Sequence, residues 1–205
     1  MKIINNMEQG SIEWHKLRWG KVTGTSLKSA AGTPAVQNTL MYKIIGEMMT
    51  EVQIPEFTTE AMQRGNDLEP IAIAKASKTL NISFEEVAFL EDENRSFGIS
   101  PDAIYKENGE VVGGLEVKCP NSSKHIEYIL KDAVPSIYKH QVYAPFLLSD
   151  KIKFWYFVSY DDRNYEMPLF IKKIVRPAEE EIKKLNDNLN NFLLKVKKNH
   201  SKITF

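Results

Sequence analysis

An α/β (α+β) domain is predicted, a small central mixed sheet flanked by helices, and three features of the sequence predict it. Segments of helical period occupy most of residues 11–80. The period then changes to that of strands over 84–118, around the turn signal Asn108-Gly109. Two helical segments, two apolar strand-like runs and a long amphipathic helix complete the order. No repeat, low-complexity linker or Pro/Gly-rich boundary interrupts it, so one domain over 1–205 is expected.

Ser11 caps a short helix through Trp19, with Gly20 as its stop. Residues 23–31 read as a second short helix ending at Gly32, and 39–50 as a third. Gly65 or Asn66 opens a helix through about Leu80, with Leu68, Ile71, Ala72 and Lys75 spaced for one face. Strands are expected at 84–90, 97–105 and 111–118, the last two joined as a hairpin. Helices at about 122–131 and 136–149 precede the buried strand 154–158 and its partner MPLFIKKI. Pro145 stands four residues after Gln141: either the helix kinks and frees the Gln141 carbonyl, or it ends before the proline. The amphipathic helix spans about 177–198.

Hydrophobic residues make up 42% and charged residues 26% of 205, as in soluble globular proteins. No apolar run approaches the ~18 residues of a membrane span, and MKIINNMEQG lacks the apolar stretch of a secretory signal. The one cysteine, Cys119, makes no internal disulfide and holds no iron–sulfur cluster alone. A cytoplasmic protein of a bacterial or phage-infected cell is expected. Net charge is zero, which argues against a broad DNA-coating role. Yet residues 171–205 carry nine Lys or Arg against four Asp or Glu. An acidic metal centre beside a basic phosphate-facing surface gives such a split, and so does a solvated basic helix. His15, His125, His140 and His200 show no zinc spacing, and no Ser/His/Asp set stands out. Trp14, Trp19 and the 154–160 aromatics read as core.

Chemistry concentrates in the hairpin. Alternate side chains of a strand share a face, so in 114–118 Glu116 and Lys118 point one way and Leu115 and Val117 the other, into a core. Asp102 on the preceding strand reaches the same charged island if the register runs through the Asn108-Gly109 turn. Two carboxylates suit a hard cation such as Mg2+, a lysine suits the attacking water, and the Val117 carbonyl is placed as a further ligand. An ordinary cross-strand ion pair explains these three residues equally well. Glu181-Ile182-Lys183 matches the same Glu-x-Lys pattern, but on a helix, where i and i+2 do not share a face.

Several motifs in order resemble the lambda-exonuclease family, the YqaJ-type viral recombinases. They are Trp14-His15-Lys16-Leu17-Arg18 with Val22-Thr23, Arg64-Gly65 with Glu69, Ser100-Pro101-Asp102, and Leu115-Glu116-Val117-Lys118-Cys119-Pro120. Tyr138-Lys139-His140-Gln141-Val142 and Trp155-Tyr156-Phe157 with Tyr160-Asp161 continue the order. The resemblance implies a restriction-endonuclease-like PD-(D/E)xK core. It also implies Mg2+-dependent 5′-to-3′ digestion of one strand of duplex DNA from 5′-phosphorylated ends, with Mn2+ as a substitute ion. Asp102, Glu116, Val117 and Glu69 would bind metal, Lys118 would serve the attacking water, and Gln141 would contact Lys118 or the phosphate. Arg18, Thr25 and Ser100 would form a 5′-phosphate pocket. Thr23, Thr25 and Ser26 near a helix start would add free N–H groups for the anion. Two departures stand out: Thr25 where the family usually has serine, and Ala103 in place of the glycine after Ser-Pro-Asp. Implied partners are DNA ends, a single-strand annealing protein and further copies in a ring-like homotrimer, with no membrane. Other readings are an endonuclease or repair nuclease of the same fold, or a non-catalytic DNA-end-binding protein.

Overall fold

A computed structural model describes residues 1–53, 59–94 and 96–204. Two four-stranded sheets replace the single sheet expected. The first has order β1 (Lys2–Ile4), β3 (Phe89–Glu91), β4 (Phe97–Ile99), β2 (Val22–Thr23). The second has order β5 (Ala103–Glu107), β6 (Glu110–Lys118), β7 (Phe154–Tyr160), β8 (Leu169–Val175), with β6 and β7 parallel. The expected strand 97–105 is therefore two strands. Ser100-Pro101-Asp102 interrupts it, because proline has no N–H to give a ladder, and the chain passes from one sheet to the other there. The expected strand 84–90 shrinks to β3, with Glu85 bridging Ile104 singly.

The hairpin is as read. Asn108 and Gly109 both have positive φ, 51° and 81°, as a two-residue turn between Glu107 and Glu110 requires. Gly114 allows a close approach: a Cβ there would lie 2.3 Å from the Trp155 ring and 2.7 Å from the Ala103 carbonyl. Ala103 itself is fully buried opposite Leu115 and fits without strain.

The helices are α1 (Ile12–Arg18), α2 (Leu27–Ala30), α3 (Pro34–Met48), α4 (Glu60–Leu80), α5 (Ser122–Lys131), α6 (Lys139–Tyr143), α7 (Pro145–Leu148) and α8 (Glu179–His200). Ser11 caps α1 by accepting from the Trp14 N–H. Three expectations need correction. Residues 22–23 form β2, so the helix expected over 23–31 shortens to the single turn of α2. α3 begins at Pro34, whose fixed φ suits a first helical position. α4 begins at Glu60, capped by Thr59, whose side chain accepts from the Met62 N–H at 3.1 Å, and it runs through Gly65 and Pro70. Its buried stripe is Leu68, Ala72 and Ala76, while Ile71 is exposed and Lys75 lies at the surface. At Pro145 the helix ends: α6 stops at Tyr143 and the proline starts α7.

Two cores flank the second sheet. One packs α3, α6, α7 and α8 around Trp155, Phe157 and Phe192. The other packs the α4 stripe on Leu115, Val117 and Val158. Apolar burial of this kind stabilises by roughly 25 cal/mol per Å2. It fixes α4 over the sheet, so that Glu69, next to the buried Leu68, sits at the edge of that packing.

Candidate active site

The β5–β6 ladder pairs Ala103 with Leu115, which brings the preceding residue Asp102 level with Glu116. Asp102 Oδ2 accepts a short bond from the Val117 N–H. Glu116, only 4% exposed, accepts through Oε1 from both Lys118 Nζ and Gln141 Nε2. Gln141 therefore contacts the carboxylate, not Lys118. Lys118 Nζ also donates to the Val117 carbonyl at 3.0 Å, and lies 5.5 Å from the Tyr138 ring.

These charges act on one another. Burial, then the charge of Glu116, holds Asp102 well above the usual carboxylate range. Glu69 is raised too, by burial first; Lys118 opposes this and Glu116 and Glu86 add to it. Burial alone would lower the Lys118 pKa, but Glu116 and Asp102 outweigh it and raise it, so the amine is a firm cation. The cluster is short of positive charge, and its donors are hard oxygens, the chemistry that fits Mg2+. Among the described residues, no three His, Cys, Asp or Glu side chains converge closely enough to hold an ion as they stand. Lys118 Nζ occupies both Glu116 Oε1 and the Val117 carbonyl, two of the oxygens a cation would use. The residues expected to hold Mg2+ are Asp102, Glu116, Val117 and Glu69.

A raised carboxylate pKa has a measurable sign. The folded metal-free protein holds protons that the unfolded chain releases, so the contribution of Asp102 and Glu69 to stability is complete below their ordinary pKa values. It is lost as pH rises through the raised folded values. The melting temperature of the metal-free protein is expected to be lower at alkaline than at mildly acidic pH, and Mg2+ to raise it more at the alkaline pH. Differential scanning calorimetry with and without Mg2+ checks this; equal Mg2+ effects at both pH values would contradict it.

Arg18, Thr25 and Ser100 line one tight cavity of about 20 Å3, together with Glu116 and Gln141. Arg18 donates to Ser100 Oγ at 2.6 Å, and its guanidinium lies 4.0 Å over the Trp14 ring. Trp14 Nε1 donates to the same Ser100 Oγ at 3.0 Å and to the Ala88 carbonyl at 3.2 Å. Thr25 Oγ1 meets Thr23 Oγ1 at 3.0 Å. Burial lowers the Arg18 pKa to about 10, with Glu116 partly offsetting it, and the group stays cationic at neutral pH. Thr23, Thr25 and Ser26 lie just ahead of the helix start at Leu27. Three of the N–H groups there are taken: Ser26 by the Thr23 carbonyl, Thr23 by Ser26 Oγ, and Gly24 by the Gly98 carbonyl.

Several residues that hold the site were given no site role in the sequence. Trp14 lies beneath the Arg18 guanidinium and is not plain core; its spacing of four from Arg18 on a helix was the available signal. Gln9 donates to the Val87 and Pro101 carbonyls, both at 2.9 Å, and steadies the Asp102 loop, with no signal in the sequence. Glu86 shares a cleft with Glu69 and Asp102. Arg64 on α4 donates to the Cys119 carbonyl at 3.2 Å and to buried Asp161 at 2.9 Å, and pairs with Asp162. It thereby ties the helix of Glu69 to the end of the strand of Lys118. Arg64→Ala is expected to cost on the order of 2 kcal/mol, read as a lower urea midpoint with unchanged slope, because buried Asp161 loses one of its two cationic partners among the described residues. The Glu-x-Lys copy in α8 is not a site: Glu181 pairs with Lys139 at 3.0 Å.

The family model of the YqaJ-like viral recombinase domain matches residues 13–151. This chain belongs to that family. The match takes in α1, the Ser-Pro-Asp turn, the β5–β6 hairpin and Gln141. The recombinase-family fold is similar to an alkaline exonuclease, LHK-Exo, from Laribacter hongkongensis: 28% identity, a TM-score of 0.84, and coverage of 94% of this chain and 96% of that one. The same exonuclease in complex with dAMP matches at 29% identity and a TM-score of 0.84, with the same coverage. A phage related exonuclease from Haemophilus somnus 129PT shares the fold at 14% identity and a TM-score of 0.64, over 93% of this chain and 99% of that one. No curated protein sequence matches the chain. Among the described residues, no helix is long and apolar enough to cross a membrane.

Proposed function

We propose that this recombinase-family chain is a Mg2+-dependent exonuclease of the PD-(D/E)xK type. It digests one strand of duplex DNA 5′-to-3′ from 5′-phosphorylated ends and leaves 3′ single-stranded overhangs for recombination. The observation that carries this is the junction of two sites. The cavity of Arg18, Thr25 and Ser100 is also lined by Glu116 and Gln141, so an end phosphate held there lies beside the carboxylate cluster. An endonuclease has no use for such a seat. The family and the LHK-Exo likeness support a nuclease acting on DNA, and a mononucleotide such as the dAMP bound by that exonuclease is the product expected here.

Each side chain has a task. Arg18 offers a planar, doubly donating fork to the terminal phosphate, and Ser100, already accepting two bonds, keeps its own hydrogen for donation. Asp102, Glu116 and the Val117 carbonyl hold Mg2+ or Mn2+, with Glu69 completing the shell. A bound Mg2+ lowers the pKa of its water and offsets charge on the phosphate oxygens. Lys118 orients the attacking water and stabilises negative charge developing on phosphate. Gln141 restrains the Glu116 carboxylate. A homotrimeric ring around the duplex would explain how a chain of zero net charge stays on DNA, and a single-strand annealing protein would receive the overhang.

The test is digestion of end-labelled linear duplex and of closed circular duplex with Mg2+. Linear DNA is expected to be shortened and the circle left intact. Cut circles would favour an endonuclease, and intact linear DNA bound at its ends a non-catalytic end-binding protein.

A further inference from the structure

Resting on the exonuclease reading, we infer that Tyr138 is a positioning residue for Lys118: its ring keeps the ammonium at the reaction centre when a metal ion takes the oxygens that the ammonium also uses. Lys118 Nζ donates to Glu116 Oε1 and to the Val117 carbonyl, the latter at 3.0 Å, and lies over the Tyr138 ring, 5.5 Å from its centroid. Both oxygens belong to residues expected to hold Mg2+, so two cations compete for them. An aromatic face is no ligand for a hard cation, which takes oxygen. It does attract an ammonium through the negative face of its quadrupole, and more strongly where water is excluded. A lysine head sits on a flexible four-carbon stem. With both oxygens given up to a metal ion, it needs another contact to stay in place, and the ring supplies one.

The ring is itself fixed. Tyr138 stacks on Phe157, with centroids 5.6 Å apart and planes at 26°. Phe157 is fully buried and pairs with Glu116 across the β6–β7 ladder, so the stack is built on the strand pair that carries the site. The Tyr138 backbone is held too: its N–H donates to the Pro135 carbonyl at 2.9 Å, and its carbonyl accepts from the Val142 N–H at 3.0 Å, at the start of α6. Gln141 follows one turn later and donates to Glu116 Oε1. One short helix thus brings an aromatic face to Lys118 and an amide to Glu116.

Two other tasks for the ring have different signatures. Tyr138 lines a groove of about 450 Å3 with Met62 and Lys118, and a ring that contacted DNA there would act on KM. A ring that only packs α6 would act whether or not Lys118 is present. The inferred task needs the aromatic face and not the hydroxyl, so phenylalanine would serve and leucine would not.

Nuclear Overhauser contacts in the unaltered chain, labelled in lysine and tyrosine, are the first test. A contact between the Lys118 ε-methylene and the Tyr138 ring protons is expected without Mg2+ and with it. Its absence, or its loss on adding Mg2+, would overturn the inference. Kinetics on linear duplex are the second test. Tyr138→Leu is expected to lower kcat about tenfold, with KM and Mg2+ affinity little changed. Tyr138→Phe is expected to recover most of that loss. In a Lys118→Ala chain, Tyr138→Leu is expected to add little further loss. Equal losses in the two Tyr138 variants, a loss carried by KM, or the full loss repeated without Lys118 would each overturn the inference. Should Tyr138→Leu not fold, the Overhauser contact with and without Mg2+ still decides. Failure of the exonuclease reading is seen separately, as linear duplex left undigested by the wild type.

Discussion

Lys118→Ala is expected to slow strand digestion by on the order of 10²–10⁴-fold while Mg2+ still binds, and binds more tightly than in wild type. The ammonium sits on Glu116 Oε1 and on the Val117 carbonyl, so its removal frees two oxygens for the cation and deprives the attacking water of its positive neighbour. Glu116→Ala and Asp102→Ala are expected to lose digestion and Mg2+ binding together, because each takes away an anionic oxygen. The split between the two classes of variant is the informative result. Calorimetric Mg2+ titration beside a digestion time course reads it directly. A Lys118→Ala chain that digests DNA at the wild-type rate would remove the lysine from the chemistry. Asp102→Asn adds a stability readout. It keeps an acceptor for the Val117 N–H but removes a buried negative charge beside Glu116. It is expected to melt higher than wild type in metal-free alkaline buffer and to be inactive, as expected where function holds a charge that the fold disfavours.

Arg18→Ala is expected to flatten the preference for 5′-phosphorylated over 5′-hydroxyl duplex by about tenfold or more. A terminal phosphate carries more charge than an internal phosphodiester, and charge-assisted bonds of this type contribute roughly 1.5–3 kcal/mol each. Thr25 and Ser100 add neutral hydrogen bonds of smaller effect. Arg18→Lys is expected to restore part of the preference, since an ammonium lacks the planar fork. It also leaves Trp14 and Ser100 without their common partner. Initial rates on the two substrates at fixed salt, for wild type and both variants, decide the matter. Equal slowing of both substrates would make Arg18 a general phosphate contact or a folding residue.

The hairpin was legible in the sequence because its determinants are local. Asn108-Gly109 takes positive φ at both positions, and period two then puts Glu116 and Lys118 together with Asp102 level across the ladder. The ends of α1, α5 and α8 were legible for a similar reason, from caps and apolar spacing. The first sheet was not. β1 pairs with β3 some ninety residues away in sequence, and β2 is a two-residue parallel partner of β4. Neither has a period of its own to read. The start of α4 was hidden because Gly65 reads as a helix opening, whereas the helix begins a turn earlier and packing of Leu68, Ala72 and Ala76 holds it over the sheet. The chain-distant supports of the site were equally out of reach: Gln9 under Pro101, Arg64 on Cys119, and Gln141 on Glu116 are contacts across 92, 55 and 25 residues. Motif order brought Arg64 and Gln141 forward without saying what either would touch.

The most direct test is the order in which label leaves a linear duplex. One strand is 5′-phosphorylated and carries label in its 5′-terminal nucleotide in one preparation and in its 3′-terminal nucleotide in the other. With Mg2+, the 5′ label is expected to appear first, as a free deoxynucleoside 5′-monophosphate, while the 3′ label stays on a long strand until late. Release of the 3′ label first, or of both labels in internal fragments of mixed length, would contradict an end phosphate held between Arg18 and the carboxylate cluster.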